Sequence, residues 1–376
     1  MAFLEGSRAI ALTVANLSPE VVSAYPITPQ THIVEDLARF KADGREDYEY
    51  VLAESEAAAA SIVLGASAAG SRTYTATSSQ GLLLMLEVLY NAAGLRLPLL
   101  MTVANRAVGG PINIWNDHSD AMAMRDAGWL MFFAENHQEA CDWHVIACRL
   151  AESLGIPAAV NVDGFILTHS FEKVSIPDKK TIKRFLAAYR PAKGTYLDPK
   201  HPATLGGFFG PEHYWLERKK LDEDMKAAQA EISRLYLEWK KIFPSDCAIK
   251  PRFDNGLVEY TGPAAPKTLL IAMGSMCGTI KEKLKEDKTA GLLKIRSFRP
   301  FPTKDVTRFI AKADRIAVIE KAASAGSAGP LYLEVSVAAG GKDINGNIVG
   351  LGGRDVSRRI ISDIIKNAGR TGQRYW

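Results

Sequence analysis

Over its first 165 residues the sequence alternates between helix-like and strand-like segments, and this alternation restricts the possible fold more than any other feature. The segment 97–105, LPLLMTVAN, is apolar along most of its length, which is typical of a strand covered on both faces. Strands of that kind, separated by helices, predict an α/β fold with a parallel sheet between two helical layers. The predicted strands are 21–27, 48–54, 72–79, 97–105, 129–135 and 156–164.

The rest of the chain predicts a long connection, one long helix, a linker and a second α/β unit. Residues 166–210 lose the alternation and carry several prolines, so we expect a surface connection that completes a first domain over 1–243 together with a charged helix at 212–242. Four prolines mark 244–266 as a linker, and 267–376 predicts a second α/β domain. The long helix either packs on its own domain or binds a partner through one apolar stripe, formed by Leu221, Met225, Ala228, Ile232, Leu235 and Trp239.

Composition excludes several classes of protein. Lys and Arg total 46 against 42 Asp and Glu, and a formal charge of +4 does not indicate nucleic-acid binding. No apolar stretch reaches the roughly 18 residues of a membrane span, and we expect no signal peptide. The four cysteines (Cys141, Cys148, Cys247 and Cys277) lack CxxC spacing, so we expect no iron–sulfur cluster or zinc ribbon in this chain, and a cytoplasmic location.

Polar residues follow several predicted strands, where the carboxyl ends of a parallel sheet bind ligands. Thr28, Glu56, Ser79 and Arg106 each stand in such a position, and the sequence contains neither a GxGxxG fingerprint nor a P-loop. Each residue also has a structural interpretation. Thr28 and Ser79 could cap the helices that follow them, and Glu56 could be a first-turn acid that interacts with a helix dipole.

Arg106 and His118 raise the question of what a buried charged group binds. Arg106 directly follows an apolar strand, where a cation needs an anionic partner. That partner is either Asp117 or Asp120, or the carboxylate of a substrate, which a guanidinium binds through two hydrogen bonds. His118 lies among Asn116, Asp117 and Asp120, but the spacing matches no metal-ligand motif, so we expect no metal site in this chain.

Five segments together resemble the α subunit of 2-oxoacid:ferredoxin oxidoreductases, a family whose best-known member acts on pyruvate. The resemblance covers essentially the whole chain, and the segments occur in the family's order. They are AYPITPQT (24–31), ESEAAAASIVLGASAAG (54–70), TATSSQGLLLMLE (75–87), ANRAVGGPINIWNDHSDAMAMRD (104–126) and GLGGRDV (350–356).

The resemblance implies a thiamine-diphosphate enzyme whose cofactor is shared between subunits. The N-terminal region is similar to the domain that binds the aminopyrimidine ring, and 267–376 is similar to a transketolase C-terminal-type α/β domain. The diphosphate and Mg²⁺ would be held by a β subunit. Further γ and δ subunits, or their equivalents, would carry the iron–sulfur clusters. Electrons would pass to ferredoxin or to an NAD(P)-linked acceptor subunit.

The resemblance also implies roles for individual residues. Glu56 matches the glutamate that contacts N1′ of the aminopyrimidine and thereby promotes deprotonation of the cofactor's C2 carbon. Thr28 and Arg106 match residues that contact the substrate, Arg106 through its carboxylate. Ile112 and Ile114 match apolar positions of the substrate pocket, and Ser79 is the second residue expected at the cofactor.

The implied reaction is oxidative decarboxylation of a 2-oxo acid to its acyl-CoA and CO₂, with pyruvate expected from its prevalence in the family. Gly109 and Gly110 replace bulkier residues of other members. They would either widen the pocket for a larger acid, such as phenylglyoxylate or a branched-chain 2-oxo acid, or simply permit a turn with positive φ. A non-oxidative thiamine-dependent transferase or decarboxylase subunit and an inert scaffold subunit are the alternatives to this function.

Overall fold

The computed structural model describes residues 1–244 and 249–376, so Cys247 and part of the predicted linker lie outside the described residues. The strands are β1 (Ala2–Glu5), β2 (Val21–Ala24), β3 (Glu49–Leu52), β4 (Thr73–Thr77), β5 (Leu99–Asn105), β6 (Leu130–Phe133), β7 (Ala158–Asp163), β8 (Phe171–Val174), β9 (Phe253–Asp254), β10 (Val258–Thr261), β11 (Thr268–Ala272), β12 (Ala290–Ile295), β13 (Ser297–Arg299), β14 (Arg315–Glu320), β15 (Asn345–Ile348) and β16 (Gly372–Tyr375). The helices are α1 (Gly6–Asn16), α2 (Thr31–Ala42), α3 (Glu56–Ala68), α4 (Ser79–Gly94), α5 (Ser119–Ala123), α6 (His137–Leu154), α7 (Lys179–Phe185), α8 (Pro211–Ile242), α9 (Met276–Leu284), α10 (Thr303–Ile310), α11 (Pro330–Ala339) and α12 (Arg358–Asn367).

The first sheet has seven strands in the order β13-β6-β7-β5-β4-β2-β3. Six of them are parallel, and β13 joins antiparallel to β6 at one edge. Strand β5 lies between β4 and β7, and all of its residues are buried, which explains why LPLLMTVAN is apolar on both faces. The α/β architecture predicted from the alternation is therefore confirmed.

The apolar stripe of α8 packs within the chain, as the first of its two interpretations predicts. Leu221, Ala228, Ile232, Leu235 and Trp239 are buried, and Met225 is partly buried. The indole nitrogen of Trp239 donates a 3.0 Å hydrogen bond to Asp142 on α6. At 32 residues α8 is long but highly charged, and none of the described helices is both long and apolar enough to cross a membrane.

The second sheet has the order β16-β15-β14-β11-β12-β10-β9. Its five parallel strands are β16, β15, β14, β11 and β12. Strands β9 and β10 pair antiparallel at its other edge, although they fall within the predicted linker. The linker prediction was wrong over these residues because the nearby prolines Pro251 and Pro263 lie just outside the strands rather than within them. Strand β13 also crosses over to the first sheet, so the two units are interlocked.

A group of buried charges joins the two units. The ammonium of Lys294 on β12 lies 2.7 Å from Glu139 on α6 and 3.0 Å from Glu259 on β10, and it also contacts Glu135. Arg296 pairs with Glu139, at 2.7 Å, and with Glu259. Because Lys294 and Arg296 have counter-charges across the boundary, loss of one partner would leave an uncompensated ion, and the group therefore fixes one arrangement of the two units.

Candidate active site

The carboxyl ends of the parallel strands β2, β3, β4, β5 and β7 meet at one edge of the first sheet. The segments that leave these strands carry Thr28, Glu56, Ser79 and Arg106. Ligands of parallel α/β sheets bind at this edge, because several loops converge there and helix N-termini face it. The arrangement agrees with the position that the sequence analysis assigned to these four residues.

Arg106 is a nearly buried cation with no anionic partner among the described residues. Only 7% of the residue is exposed. Its Nη1 donates to the carbonyl oxygen of Thr28 at 2.9 Å, and its Nε donates to the carbonyl oxygen of Asn113 at 3.2 Å. Burial lowers the pKa of the guanidinium, although the Asp120 carboxylate acts in the opposite direction. Two neutral carbonyls hold Arg106 in place and leave its charge available to an external anion.

The structural alternative for Arg106, an ion pair with Asp117 or Asp120, is not what the structure contains. Asp120 accepts a 3.0 Å hydrogen bond from the backbone amide of Arg106, not from its guanidinium. Asp117 instead accepts hydrogen bonds from Ser119 and from the backbone amide of Gly352. Both carboxylates therefore shape the backbone around Arg106 without neutralising its side chain.

Asp120 is a structural centre of the site, in a role other than the ion pair with Arg106 that the sequence analysis considered. Its buried carboxylate accepts hydrogen bonds from the backbone amides of Ser79, at 2.9 Å, and Arg106, at 3.0 Å, and from the side chain of Asn105, also at 3.0 Å. Burial raises its pKa to about 6. Through Asp120 the N-terminus of α4 is held to the end of β5, which carries Arg106, and Glu56 lies beside Gly81 of the same helix α4.

Glu56 lies at the first turn of α3, which is capped by the Ser55 hydroxyl accepting from the amide of Ala58 at 3.2 Å. The glutamate is only 8% exposed and makes no hydrogen bond or ion pair within the described parts of the chain. A Cβ atom at Gly81 would lie 2.7 Å from Glu56 Oε1, so glycine is needed where α4 passes the carboxylate. A buried, unpaired carboxylate is costly unless a ligand supplies its partner.

The surroundings of Glu56 fit a polar aromatic ring. The hydroxyls of Thr77 and Ser78 are buried without hydrogen-bond partners at the end of β4. Thr77 Oγ1 and Glu56 both lie against Gly81, within 2.7 Å of the position its Cβ would take. Unsatisfied buried hydroxyls beside an unpaired carboxylate match the donors and acceptors that an aminopyrimidine presents.

Ser79 has internal partners for each of its polar atoms. Its amide donates to Asp120, and its hydroxyl lies 2.6 Å from the carbonyl oxygen of Ala107 and also contacts Gln80. These bonds attach α4 to the loop that follows β5. A direct contact between Ser79 and a cofactor stays a prediction.

Gly109 and Gly110 are explained by the local loop geometry. A Cβ at Gly109 would lie 2.0 Å from the side-chain nitrogen of Gln80, so the space beside this glycine is already occupied. Gly110 has a φ of 106°, where only glycine is unstrained, and nothing lies within 4 Å of the position its Cβ would take. The positive φ fits the turn interpretation at Gly110, and the nearby Gln80 side chain explains why Gly109 carries no side chain.

Ile112 and Ile114 stand in the same loop, and each is largely open to solvent, at 81% and 41% exposure. Trp115 beside them is also exposed and packs its ring against Phe165, with ring centroids 4.6 Å apart. The structure therefore places these side chains on the surface around the edge of the first sheet. Their role in lining a substrate pocket stays a prediction.

His118 and two residues that the sequence analysis missed connect this loop to the second unit. His118 is buried and shares a 2.7 Å hydrogen bond with Asp163, which also pairs with Lys321 at 2.7 Å. Lys321 donates to Asn116 at 2.8 Å, and Ser275 contacts Asp163. His118 is thus part of a network of hydrogen bonds and ion pairs that connects the two units. Lys321 lies more than 150 residues from Asp163 in the sequence, so a search for local patterns does not connect the two.

Two family models together match most of the chain. Residues 13–236 match the family described as pyruvate flavodoxin/ferredoxin oxidoreductase, thiamine diphosphate-binding, and 266–361 match pyruvate:ferredoxin oxidoreductase core domain II. The chain is 45% identical over 371 residues to pyruvate synthase subunit PorA of Methanocaldococcus jannaschii, covering 97% of this chain and 94% of that one. It is 36% identical to ketoisovalerate oxidoreductase subunit VorA of Pyrococcus horikoshii, covering 97% and 92% of the two chains.

A solved structure shares the fold at lower sequence identity. The 2-oxoglutarate:ferredoxin oxidoreductase from Magnetococcus marinus, solved with 2-oxoglutarate, coenzyme A and succinyl-CoA bound, superposes with a TM-score of 0.75 at 22% identity. The match covers 98% of this chain and 65% of that chain, so the present chain corresponds to about two-thirds of its length. At this identity the comparison supports the fold alone.

Proposed function

The chain belongs to the pyruvate flavodoxin/ferredoxin oxidoreductase family, and from this premise we propose that it is the α subunit of a complex that oxidatively decarboxylates a 2-oxo acid to its acyl-CoA. Pyruvate is the proposed substrate, because the pyruvate synthase subunits from Methanocaldococcus jannaschii and Thermotoga maritima are 45% and 40% identical to this chain, against 36% for the ketoisovalerate subunit. Cleavage of the bond to the carboxylate releases CO₂. The two electrons left behind go to ferredoxin or another acceptor, and the acyl group goes to coenzyme A.

The observation that carries this proposal is the unpaired charge of Arg106. A nearly buried guanidinium held only by the carbonyls of Thr28 and Asn113 is preorganised to bind a carboxylate. Every 2-oxo acid carries a carboxylate beside the carbonyl that reacts. Arg106 would therefore orient the substrate. Thr28, whose carbonyl accepts from Arg106, is proposed to contact the same group through its exposed side chain.

Thiamine diphosphate, when bound, would supply a nucleophilic carbon and an electron sink for the decarboxylation of the 2-oxo acid. In this chain Glu56 would hold a proton at N1′ of the aminopyrimidine, and Thr77 and Ser78 would offer hydroxyls to the same ring. The burial of Glu56 strengthens this hydrogen bond, because the surroundings are poorly polarisable and exclude water. Ser79 supports the same region through its bonds to Asp120 and Ala107.

A partner subunit completes the site. The edge of the first sheet exposes a set of apolar side chains, and an exposed apolar patch of this kind marks an interaction surface. The set consists of Tyr25, Leu52, Ile112, Ile114 and Trp115. We assign this surface to the β subunit, which would hold the diphosphate and Mg²⁺, with iron–sulfur clusters on further γ and δ subunits or their equivalents. The buried free thiols of Cys141, Cys148 and Cys277 support a reducing, cytoplasmic location.

A larger 2-oxo acid is the weaker candidate substrate. The sequence argument for it depended on space beside Gly109 and Gly110. Gln80 occupies the space at Gly109, and a positive φ explains Gly110. The glycine pair therefore gives no support to an enlarged pocket.

A substrate panel on the purified complex tests the proposal. Pyruvate, 2-oxoisovalerate, 2-oxoglutarate, oxalate and phenylglyoxylate would be compared by CoA-dependent reduction of ferredoxin, with this chain alone as the control. We expect the highest kcat/KM with pyruvate and no turnover by the isolated chain, since the diphosphate site lies on a partner. Preference for another acid would change the substrate assignment. CoA-independent release of CO₂ without reduction of the acceptor would contradict an oxidoreductase.

A further inference from the structure

Three side chains that are distant in sequence converge at the N-terminus of α2. None of them belongs to the proposed catalytic residues. Glu5 ends β1, His32 stands in the first turn of α2, and His169 lies between β7 and β8. One ligand atom of each, a carboxylate oxygen and two ring nitrogens, lies within 4.8 Å of the other two. The Glu5 carboxylate is 2.7 Å from His32 Nδ1, and the rings of His32 and His169 have centroids 4.6 Å apart.

We propose that Glu5, His32 and His169 form a binding site for a divalent transition-metal ion of the Zn²⁺ class. Two imidazoles and one carboxylate are a donor set that Zn²⁺ and its first-row neighbours prefer over Mg²⁺ or Ca²⁺. Tetrahedral ligands at about 2.0–2.1 Å from an ion lie roughly 3.3 Å from one another. Small rotations of side chains that already converge would reach that spacing.

The second nitrogen of His169 has the support that metal-binding imidazoles use. His169 Nδ1 lies 2.7 Å from the hydroxyl of Thr168, which itself accepts from the amide of Phe165 at 2.8 Å. Because Nδ1 is hydrogen-bonded to Thr168, Nε2 is the nitrogen of His169 that we assign as the ligand atom.

The charge of this cluster also favours a cation. In the described part of the chain, Glu5 pairs with no lysine or arginine, and its ion pair is with His32. The contrast is the other convergent group of acids, Glu135, Glu139 and Glu259, where the ammonium of Lys294 already sits among the carboxylates. At the second group the chain itself supplies the cation. At Glu5 no lysine or arginine of the described residues does so.

The exposure of the site and the segments that it joins indicate what a bound ion would do. The His32 side chain is 46% exposed, so an ion can enter from solvent. Ligation would join β1, α2 and the loop that carries His169, whose ring contacts Phe165 at 4.8 Å between centroids. Phe165 in turn packs on Trp115 of the loop beside Arg106. The ion would therefore brace this side of the first unit without contacting the proposed catalytic residues.

Metal titration of the full chain tests the proposal without reference to enzyme activity. After treatment with a chelator, Zn²⁺ alone is titrated by calorimetry into the wild type, Glu5→Gln, His32→Gln and His169→Gln. His213→Gln, which removes an exposed imidazole of α8, is the matched control. We expect one Zn²⁺ per chain, with affinity reduced about tenfold or more in the three site variants and unchanged in the control.

Co²⁺ alone gives a second measurement, since its visible absorption reports tetrahedral nitrogen and oxygen ligands. We expect that absorption in the wild type and in His213→Gln, and its loss in His32→Gln, whose exposed position leaves the fold intact by circular dichroism. Absence of stoichiometric binding to the wild type would overturn the proposal. Equal affinity in the wild type and in both histidine variants would overturn it as well.

Discussion

The side-chain amide of Asn113 donates a hydrogen bond to the backbone carbonyl of Gly352, 3.2 Å away. The two residues belong to different units of the chain, and the carbonyl of Asn113 accepts the hydrogen bond from Arg106 Nε. Next to this contact, the amide of Gly353 donates to the carbonyl of Asn116 at 2.8 Å. The GLGGRDV segment of the second unit therefore supports the loop that orients the proposed substrate-binding arginine.

Gly352→Ala in the assembled complex tests this support. Gly352 has a φ of 57°, and a Cβ there would lie 2.6 Å from Asn113 Nδ2, so the substitution must displace Asn113. We expect kcat/KM for the 2-oxo acid to fall about tenfold or more, because small displacements of an orienting group are costly. Steady-state kinetics and thermal unfolding would be measured on the same preparation.

Gly340→Ala is the matched control for that substitution. Gly340 has nearly the same φ, 58°, but nothing lies within 4 Å of the position its Cβ would take. Both variants carry the strain of a left-handed alanine, about 1–2 kcal/mol. Equal kinetic losses in the two variants would show that strain, not contact with Asn113, is responsible.

Arg106→Ala should impair substrate use without unfolding the protein. The guanidinium donates to two carbonyls and pairs with no carboxylate within the described residues, so its loss removes little native stabilisation. A charged hydrogen bond contributes about 1.5–3 kcal/mol, so we expect kcat/KM to fall at least about tenfold for every 2-oxo acid. Cofactor affinity should be unchanged. A large drop in Tm with normal kinetics would instead assign Arg106 a structural role.

Glu56→Gln should slow proton exchange at C2 of the bound cofactor. A neutral amide cannot stabilise a positive charge on the aminopyrimidine, and loss of one preorganised interaction of this kind typically costs about 10²–10³ in rate. The measurement is hydrogen–deuterium exchange at C2 in the assembled complex. The matched control is Glu54→Gln, two residues earlier and exposed to solvent. Exchange that is equally fast in Glu56→Gln and in the wild type would remove Glu56 from this role.

Sequence analysis can identify candidate residues whose position in the fold follows from the sequence next to them. Thr28, Glu56 and Arg106 each follow a strand of a parallel sheet, and strand ends can be recognised from short apolar segments. Asp120 was considered only as an ion-pair partner of Arg106, because its actual role depends on accepting hydrogen bonds from backbone amides of two segments that meet only in the folded chain. No residue type or spacing announces such a contact.

The fold shows the same division between local and distant information. The central strand β5 is apolar along its length and was predicted within two residues of its bounds. Strand β10, with the sequence VEYT, is short and lies between prolines, so it was assigned to a linker. Strand β10 pairs with β12, which places Tyr260 opposite Leu293. Because this pairing depends on residues outside β10, the sequence of β10 alone does not predict a strand. The contact between Asp117 and Gly352 likewise spans 235 residues.

Acid should destabilise the chain in part through His144. This buried ring receives a 2.5 Å hydrogen bond at Nε2 from Thr102 and directs Nδ1 at the carbonyl of Ala140, 2.7 Å away, an arrangement that needs the neutral form. Burial lowers the pKa of His144 to about 4 from its ordinary value near 6.5. Between these two values the unfolded chain binds the proton more readily than the folded chain. Stability therefore falls as the pH decreases from 6.5 towards 4.

The size of this effect is bounded by the shift itself, at about 1.4 kcal/mol for each pH unit inside that window. Thermal unfolding of the wild type and of His144→Gln would be compared at pH 7 and at pH 5. The variant should be less stable at pH 7, because Thr102 and Ala140 lose their partner, yet its Tm should decline less between the two pH values. Parallel declines in the two proteins would show that other groups cause the acid sensitivity, since glutamine at this position cannot take up a proton.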